Sequence, residues 1–270
     1  MPQITIATLN IAAGSKERVR KLLDDWIAPT PYDVYVITET SDGPGTALLI
    51  SEFRNAGWTI FQRPGTAGDR GVAIVSQIPG VLSTQLPGID PAPGRCLVLQ
   101  LNTIPRLELI GMYIPNRGND WSKTDRKRNF LAFWKRYLCS RPSSDVQRIL
   151  LGDLNVVPLE QHPTFLPQEK FEYDWFRDLT RVAGLYDAAL SHGAGHESTW
   201  ESHGGEGYTY DHILLQTGLS DRVLAFRYDH STRKARALTD HSALILSLEV
   251  DTIERLSIRR IGEPIQMQLF

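Results

Sequence analysis

Ile149-Leu150-Leu151-Gly152-Asp153-Leu154-Asn155 is the stretch on which the fold of this chain turns. Large apolar residues running into Gly-Asp-x-Asn predict a strand over 148–154, buried on both faces and ending in polar residues. Asp153 and Asn155 lie two apart, so an extended backbone puts both side chains on one face or rim. There one could hold or activate a water while the other offers an amide to a phosphate oxygen. An ordinary turn uses the same residue types, so this segment alone leaves both readings open.

The arrangement recurs on either side. Ile4-Thr5-Ile6-Ala7 leads into Thr8-Leu9-Asn10, and Val34-Tyr35-Val36-Ile37 leads into Thr38-Glu39-Thr40. Tyr210-Asp211-His212 and Thr239-Asp240-His241 border the apolar runs Ile213-Leu214-Leu215 and Ser242-Ala243-Leu244-Ile245-Leu246. Glu39, after its apolar run, is expensive to bury unless a cation such as Mg2+ pairs with it. An exposed glutamate just past a strand is the other reading, and Asn10 has the same two. A carboxylate such as Asp211 can fix the tautomer of His241 and raise its pKa. Carboxylates, amides and an imidazole delivered repeatedly to strand ends suit a hard, oxygen-liganded metal and a phosphate ester.

Hydrophobic patterning predicts strands at 3–10, 33–39, 58–63, 71–77, 95–102, 106–113, 148–154, 209–216, 222–228 and 242–250, and helices at 15–27, 44–56, 122–139 and 169–184. That many strands with few helices implies an α/β (α+β) fold: a four-layered αββα sandwich, two packed mixed β-sheets flanked by helices. No linker-like stretch or internal repeat divides the 270 residues, so the expectation is one domain, with a core over about 3–250 and a tail over 251–270.

Composition narrows the function classes. A net charge of −2 argues against a protein that coats nucleic acid wholesale. Cys96 and Cys139 have no metal or disulfide spacing. With no signal-peptide pattern and no membrane-length apolar run, the expectation is a soluble, cytoplasmic protein without a membrane partner. Two basic patches remain. One runs from Lys123 through Arg126, Lys127 and Arg128 to Lys135, Arg136 and Arg141, read as the outer face of an amphipathic helix. The other is Arg222, Arg227, Arg233, Lys234 and Arg236, read as a loop or hairpin beside Asp240-His241. Both could serve a polyanionic substrate or be solvated faces.

In order along the chain, Thr8-Leu9-Asn10, Thr38-Glu39, Tyr113-Ile114-Pro115-Asn116, Gly152-Asp153-Leu154-Asn155, Tyr210-Asp211 and Thr239-Asp240-His241 resemble the motifs of the endonuclease/exonuclease/phosphatase superfamily. The likeness is greatest to its exonuclease III-like, apurinic endonuclease-type nucleases, and it spans roughly residues 4–250. Phe165-Leu166-Pro167-Gln168-Glu169, Gly184-Leu185-Tyr186-Asp187 and Ser198-Thr199-Trp200 also resemble stretches of that branch. The resemblance implies Glu39 as principal metal ligand with Asp240, and Mg2+ as cofactor with Mn2+ as a substitute. It implies Asp153 orienting or deprotonating the attacking water, and Asn10, Tyr113 and Asn155 holding phosphate oxygens. His241, oriented by Asp211, would stabilise the transition state or move a proton. Asn116, Arg117 and Trp200 would contact substrate, Trp200 lining a nucleotide pocket; a core tryptophan is the alternative for Trp200.

Departures from the branch are Ala12 two residues after Asn10, Thr40-Ser41-Asp42-Gly43 after Glu39, and Tyr210 before Asp211. These weaken abasic-site specificity and leave the phosphoesterase core intact. His192, His196 and His203 with Glu197, Glu201 and Glu206 form a looser second metal candidate. Gly65-Thr66-Ala67-Gly68-Asp69-Arg70-Gly71 lacks the Lys-Ser/Thr of a P-loop and reads as a turn between strands. The expected activity is metal-dependent hydrolysis of phosphodiester bonds in DNA, as an endo- or exonuclease with a place in DNA repair, needing no obligate protein partner. Alternatives are a phosphatase or phosphodiesterase of small-molecule or lipid head-group substrates, and a non-catalytic nucleic-acid-binding protein.

Overall fold

The structure is a computed structural model that describes residues 1–263 except 64, 119, 141, 159–167, 203 and 235. Arg141, His203 and Phe165-Leu166-Pro167 therefore lie outside the described residues. In chain order the elements are β1 Gln3–Asn10, α1 Lys16–Leu22, β2 Val34–Thr40, α2 Pro44–Asn55, β3 Thr59–Phe61, β4 Gly71–Ser76, β5 Gly80–Leu82, β6 Cys96–Leu101, β7 Thr103–Ile104 and β8 Arg106–Tyr113. Then follow α3 Trp121–Leu138, β9 Val146–Asp153, α4 Lys170–Arg181, β10 Leu185–Asp187, α5 Ala188–Ser191, β11 Trp200–Glu201, β12 Gly207–Tyr208, β13 Asp211–Gln216, β14 Val223–Asp229, β15 Ala243–Glu249 and β16 Thr252–Ile253.

Two six-stranded sheets form the centre, in the orders β14-β15-β1-β2-β4-β3 and β10-β13-β9-β8-β6-β5. Each is mixed: β1 runs parallel to β2 in one and β8 parallel to β9 in the other, while the remaining pairs are antiparallel. Ile4, Ile6, Val34, Val36, Val72 and Ile74 of the first sheet meet Leu97, Leu99, Leu107, Leu109, Ile149 and Leu151 of the second. On the outer face of the first sheet, Leu9, Tyr35 and Ile37 pack on Val19 and Leu22 of α1 and on Leu49 and Phe53 of α2. On the outer face of the second, Ile110, Met112 and Leu150 pack on Phe130 and Trp134 of α3 and on Trp175 and Leu179 of α4. This is the αββα sandwich. Both faces of the central strands are covered, which is why those strands read as unbroken apolar runs.

The basic helix needs one correction. Lys127, placed by its sequence neighbours on the outer face of α3, is buried and ion-paired with buried Glu172 of α4. Phe130, Phe133, Trp134 and Leu138 recur at helical spacing, and Lys127 lies one turn before them on the same stripe. The second patch is largely compensated: Arg222 pairs with Asp251 at 2.8 Å, Arg227 donates to the Tyr32 hydroxyl at 2.7 Å, and Arg233 pairs with Glu201. The predicted helix over 15–27 is α-helical only to Leu22 and continues as a π-helical turn over Leu23–Ile27. Edge strands β5 and β10 escaped the pattern because three residues carry too little periodicity to distinguish them from loop.

Candidate active site

Strand direction alone brings the polar ends to one rim. β1, β2, β8 and β9 all end there, and the parallel registers pair Asn10 with Thr38 and Tyr113 with Asp153. β13 runs antiparallel to β9 and starts there, so Asp211 lies opposite Asp153. β15 likewise runs antiparallel to β1, with His241 two residues before its start. Gly152 is required for this closeness. Its φ is +132°, and a Cβ would lie 2.2 Å from the Met112 carbonyl oxygen of the neighbouring strand.

Asp153, Asp211 and His241 form the one group of three or more His, Cys, Asp or Glu among the described residues whose ligand atoms all lie within 4.8 Å of one another. All three are buried. Nδ1 of His241 is 2.7 Å from Oδ2 of Asp211, so Nδ1–H donates to the carboxylate and the ring orientation is fixed. Asp153 accepts from the Asn10 amide at 2.7 Å and from the Asn155 backbone N–H at 2.9 Å. Burial first, and then the neighbouring Asp211 carboxylate, push Asp153 up to about 7 despite those donors and His241. Burial alone would lower His241, but Asp211, with Asp153 and Asp240 behind it, raises it to about 9.

The surrounding backbone is held in sparsely populated conformations. Glu39 and Asn155 have φ of 57° and 47°, and Ala12 and Ala13 have 48° and 46°. A register shift between Thr38 and Thr40 places Glu39 in a bulge, which turns its side chain out of the β2–β4 ladder. The Asn155 turn is braced from below: its carbonyl accepts from the buried Lys127 ammonium at 2.7 Å and from Gln168 at 2.8 Å, and its side-chain amide donates to the Ile114 carbonyl at 3.0 Å. Burial lowers the Lys127 pKa against the opposing pull of Glu172. Tyr113 sits beneath the Arg95 guanidinium, 4.6 Å from the ring centre. Burial, then the Asp153 and Glu39 carboxylates, raise its phenol above the ordinary range, so it stays a neutral O–H donor.

The remaining candidates sit around this centre. Asp240 is exposed, and its Oδ2 accepts from the Trp200 indole at 3.0 Å. Glu39 faces Arg70 at 3.7 Å. Neither is a member of the buried group of three. Trp200 is half-buried and belongs to an aromatic ladder, with ring centres 6.2 Å from Tyr208 and 5.6 Å from Tyr210, and Tyr208 stacked on Tyr210 at 5.5 Å. Tyr208 and Tyr210 were missed as members of this surface, although their spacing of two in Tyr208-Thr209-Tyr210 puts both rings on one side of an extended chain. Asn116 and Arg117 are exposed in the loop from β8 to α3, and Arg117 reaches Glu169, the N-cap of α4, at 3.2 Å. His196 turns away from the rim, 3.2 Å from Asp187 in a separate His-Asp cluster with His212.

Oxygen-rich donors beside a buried Asp211 Oδ1 that has no hydrogen-bond partner among the described residues fit a hard divalent cation. Glu39 and Asp240 supply further carboxylates at the rim.

The sequence profile of the Endonuclease/Exonuclease/phosphatase family matches residues 7–241. Among curated proteins none matches significantly. Among solved structures, the 3′ phosphatase NExo from Neisseria, bound to a product DNA hairpin, is 22% identical with a TM-score of 0.73, covering 91% of this chain and 99% of that one. An AP endonuclease from Archaeoglobus fulgidus is 20% identical with a TM-score of 0.74, covering 92% of this chain and 100% of that one. An AP endonuclease from Leishmania major is 17% identical with a TM-score of 0.68, covering 92% and 88%. At these identities the likeness is one of fold.

Proposed function

We propose that this chain, which belongs to the endonuclease/exonuclease/phosphatase family, is a divalent-metal-dependent phosphodiesterase acting on DNA. The observation that carries the proposal is the convergence of buried Asp153, Asp211 and His241 with Asn10 and Asn155 on one rim of the two sheets. Two acids and an imidazole brought that close in a dry site suit phosphate chemistry far better than structural support.

Glu39 and Asp240 would hold Mg2+, or Mn2+ in its place, with Asp211 Oδ1 as a further oxygen donor. When bound, the cation supplies charge stabilisation to the phosphate as negative charge develops on its oxygens. Asp153, raised to about 7, is poised near neutrality to orient a water and accept its proton. Asn10 and the Asn155 N–H hold that carboxylate in place. His241, raised to about 9, carries its proton at neutral pH and donates from its free nitrogen to a phosphate oxygen, while Asp211 fixes the ring. Tyr113 offers a second neutral O–H, and Asn116, exposed in the loop after β8, would contact the substrate. The Trp200-Tyr208-Tyr210 ladder gives a nucleobase a stacking surface beside Asp240.

The structural relatives are described as a 3′ phosphatase and as AP endonucleases, which sets the substrates to compare. Labelled duplexes, intact, abasic, recessed at the 3′ end or carrying a 3′ phosphate, are incubated with Mg2+ or EDTA, with Asp153→Ala as blank. The expected result is Mg2+-dependent cleavage lost in the variant. Release of phosphate from small esters with all DNA left intact would instead make this a small-molecule phosphatase.

A further inference from the structure

The loop from β3 to β4 takes no part in the chemistry above, yet it is tied to the site at both ends of its charged pair. Asp69 pairs with Arg95 at 2.5 Å and also with Arg126 of α3. Arg95 is itself buried against Tyr113. Asp69 Oδ1 also accepts from the Arg70 backbone N–H at 2.8 Å, which fixes where the Arg70 side chain starts. The guanidinium that follows is not fixed. It is 41% exposed, and among the described residues its one ionic partner is Glu39, at 3.7 Å, beyond hydrogen-bond reach. Next to it opens a polar cavity of about 390 Å³, lined among others by Thr40, Ser41, Arg63 and Arg70.

We propose that Arg70 binds a non-reacting phosphodiester of the substrate strand in this cavity, and that it rests on Glu39 only until a divalent cation takes that carboxylate. The proposal depends on the phosphodiesterase reading above. A cation at Glu39 both removes the partner of Arg70 and repels its charge, so the guanidinium is driven toward the nearest other anion. Asp69 cannot be that anion, because two arginines already neutralise it. Asp42, also in the cavity wall, is held by the Gly68 N–H, from which it accepts at 3.2 Å. A phosphate entering here meets a planar guanidinium able to grip two of its oxygens, with the Thr40 and Ser41 hydroxyls beside it.

The test uses the full chain with Arg70→Ala and Arg70→Lys, both checked for native circular dichroism. Mn2+ binding without DNA, followed by electron paramagnetic resonance, should tighten several-fold in Arg70→Ala, since a competing cation has left Glu39, and less in Arg70→Lys. Anisotropy of a labelled oligonucleotide in Mg2+, in an Asp153→Asn background, should show affinity falling about ten-fold with Arg70→Ala, and the salt dependence of log K becoming shallower by about one unit. In the otherwise wild-type enzyme, KM should rise about ten-fold with kcat held within about two-fold. Unchanged Mn2+ affinity, or unchanged oligonucleotide affinity and salt slope, overturns the proposal. A wild-type chain that cuts no DNA sinks the phosphodiesterase reading itself, whereas one that cuts DNA with KM indifferent to Arg70 sinks only the role of Arg70.

Discussion

The parallel pair β8–β9 carries a buried polar cluster at each end, and the two are built on opposite principles. Near the start of the pair, Glu108 stands directly opposite Arg148, with Nε of the arginine 2.6 Å from the carboxylate. The same guanidinium donates to the Tyr137 and Leu138 carbonyls at 3.2 and 3.3 Å, and the Tyr137 hydroxyl donates to the other Glu108 oxygen at 3.0 Å. Charge meets opposite charge, and both carboxylate oxygens are occupied. At the far end of the same strands, Tyr113 stands opposite Asp153, and a second acid, Asp211, is packed beside it next to His241. One Asp211 oxygen has no hydrogen-bond partner among the described residues. The first cluster closes a gap in the sandwich, whereas the second leaves polarity unspent at the rim.

Neutralising the acid pair at the rim has the largest expected effect. Asp153→Asn should lower kcat for DNA cleavage by about a thousand-fold or more, equivalent to about 4 kcal/mol of barrier. Its thermal midpoint should hold or rise, because a buried carboxylate facing Asp211 has been removed. A variant that kept its rate and lost its fold would reverse the roles assigned to the two ends.

Arg148→Met is the complementary cut. It leaves Glu108 buried without its cation and should destabilise the protein by about 3–5 kcal/mol in urea denaturation. Turnover per folded molecule should stay within about two-fold of wild type, and a larger loss would mean that the two ends are coupled.

The pH dependence of stability sharpens the contrast further. Asp153, raised from 3.8 to about 7, and His241, raised from 6.5 to about 9, both hold their protons more tightly folded than unfolded. Asp153 contributes stability that is complete below 3.8 and lost as pH rises through about 7. His241 contributes stability that is complete below 6.5 and lost through about 9. The metal-free thermal midpoint should therefore decline across these windows in calorimetry. Asp153→Asn should flatten the acidic part of the decline and His241→Gln the alkaline part. A flat profile in the wild type would mean that the rim is already compensated, like the other end.

The smallest expected effect belongs to Tyr137→Phe, which removes one hydrogen bond from the satisfied cluster. About 1 kcal/mol of stability should be lost, with cleavage unaffected. A cost several times larger would show that the cluster acts cooperatively, more than its separate bonds imply.

Much of this architecture is legible along the chain because it is local. Apolar runs such as Val34-Tyr35-Val36-Ile37 report burial on both sides, and polar residues at their ends mark where strands stop. Thr8-Leu9-Asn10 and Gly152-Asp153 fall at the ends of β1 and β9 as read, and the αββα layering follows from strand and helix counts. Local pattern fails where a residue answers to a distant element. Lys127 reads as surface because its neighbours are basic, but it is buried by Glu172, which lies 45 positions on. Arg70 looks like part of a turn, and only the bulge at Glu39 brings the two charges together. Tyr208 and Tyr210 gain meaning from stacking on Trp200.

Hydrophobic periodicity acts over a few residues, so the chain alone marks its long strands and the polar residues at their ends. Tertiary structure alone decided that β13 runs beside β9 and β15 beside β1, and hence that Asp211 meets Asp153 and His241. Those meetings depend on strand order and sheet packing, free-energy differences summed over the whole core that no short stretch of residues carries.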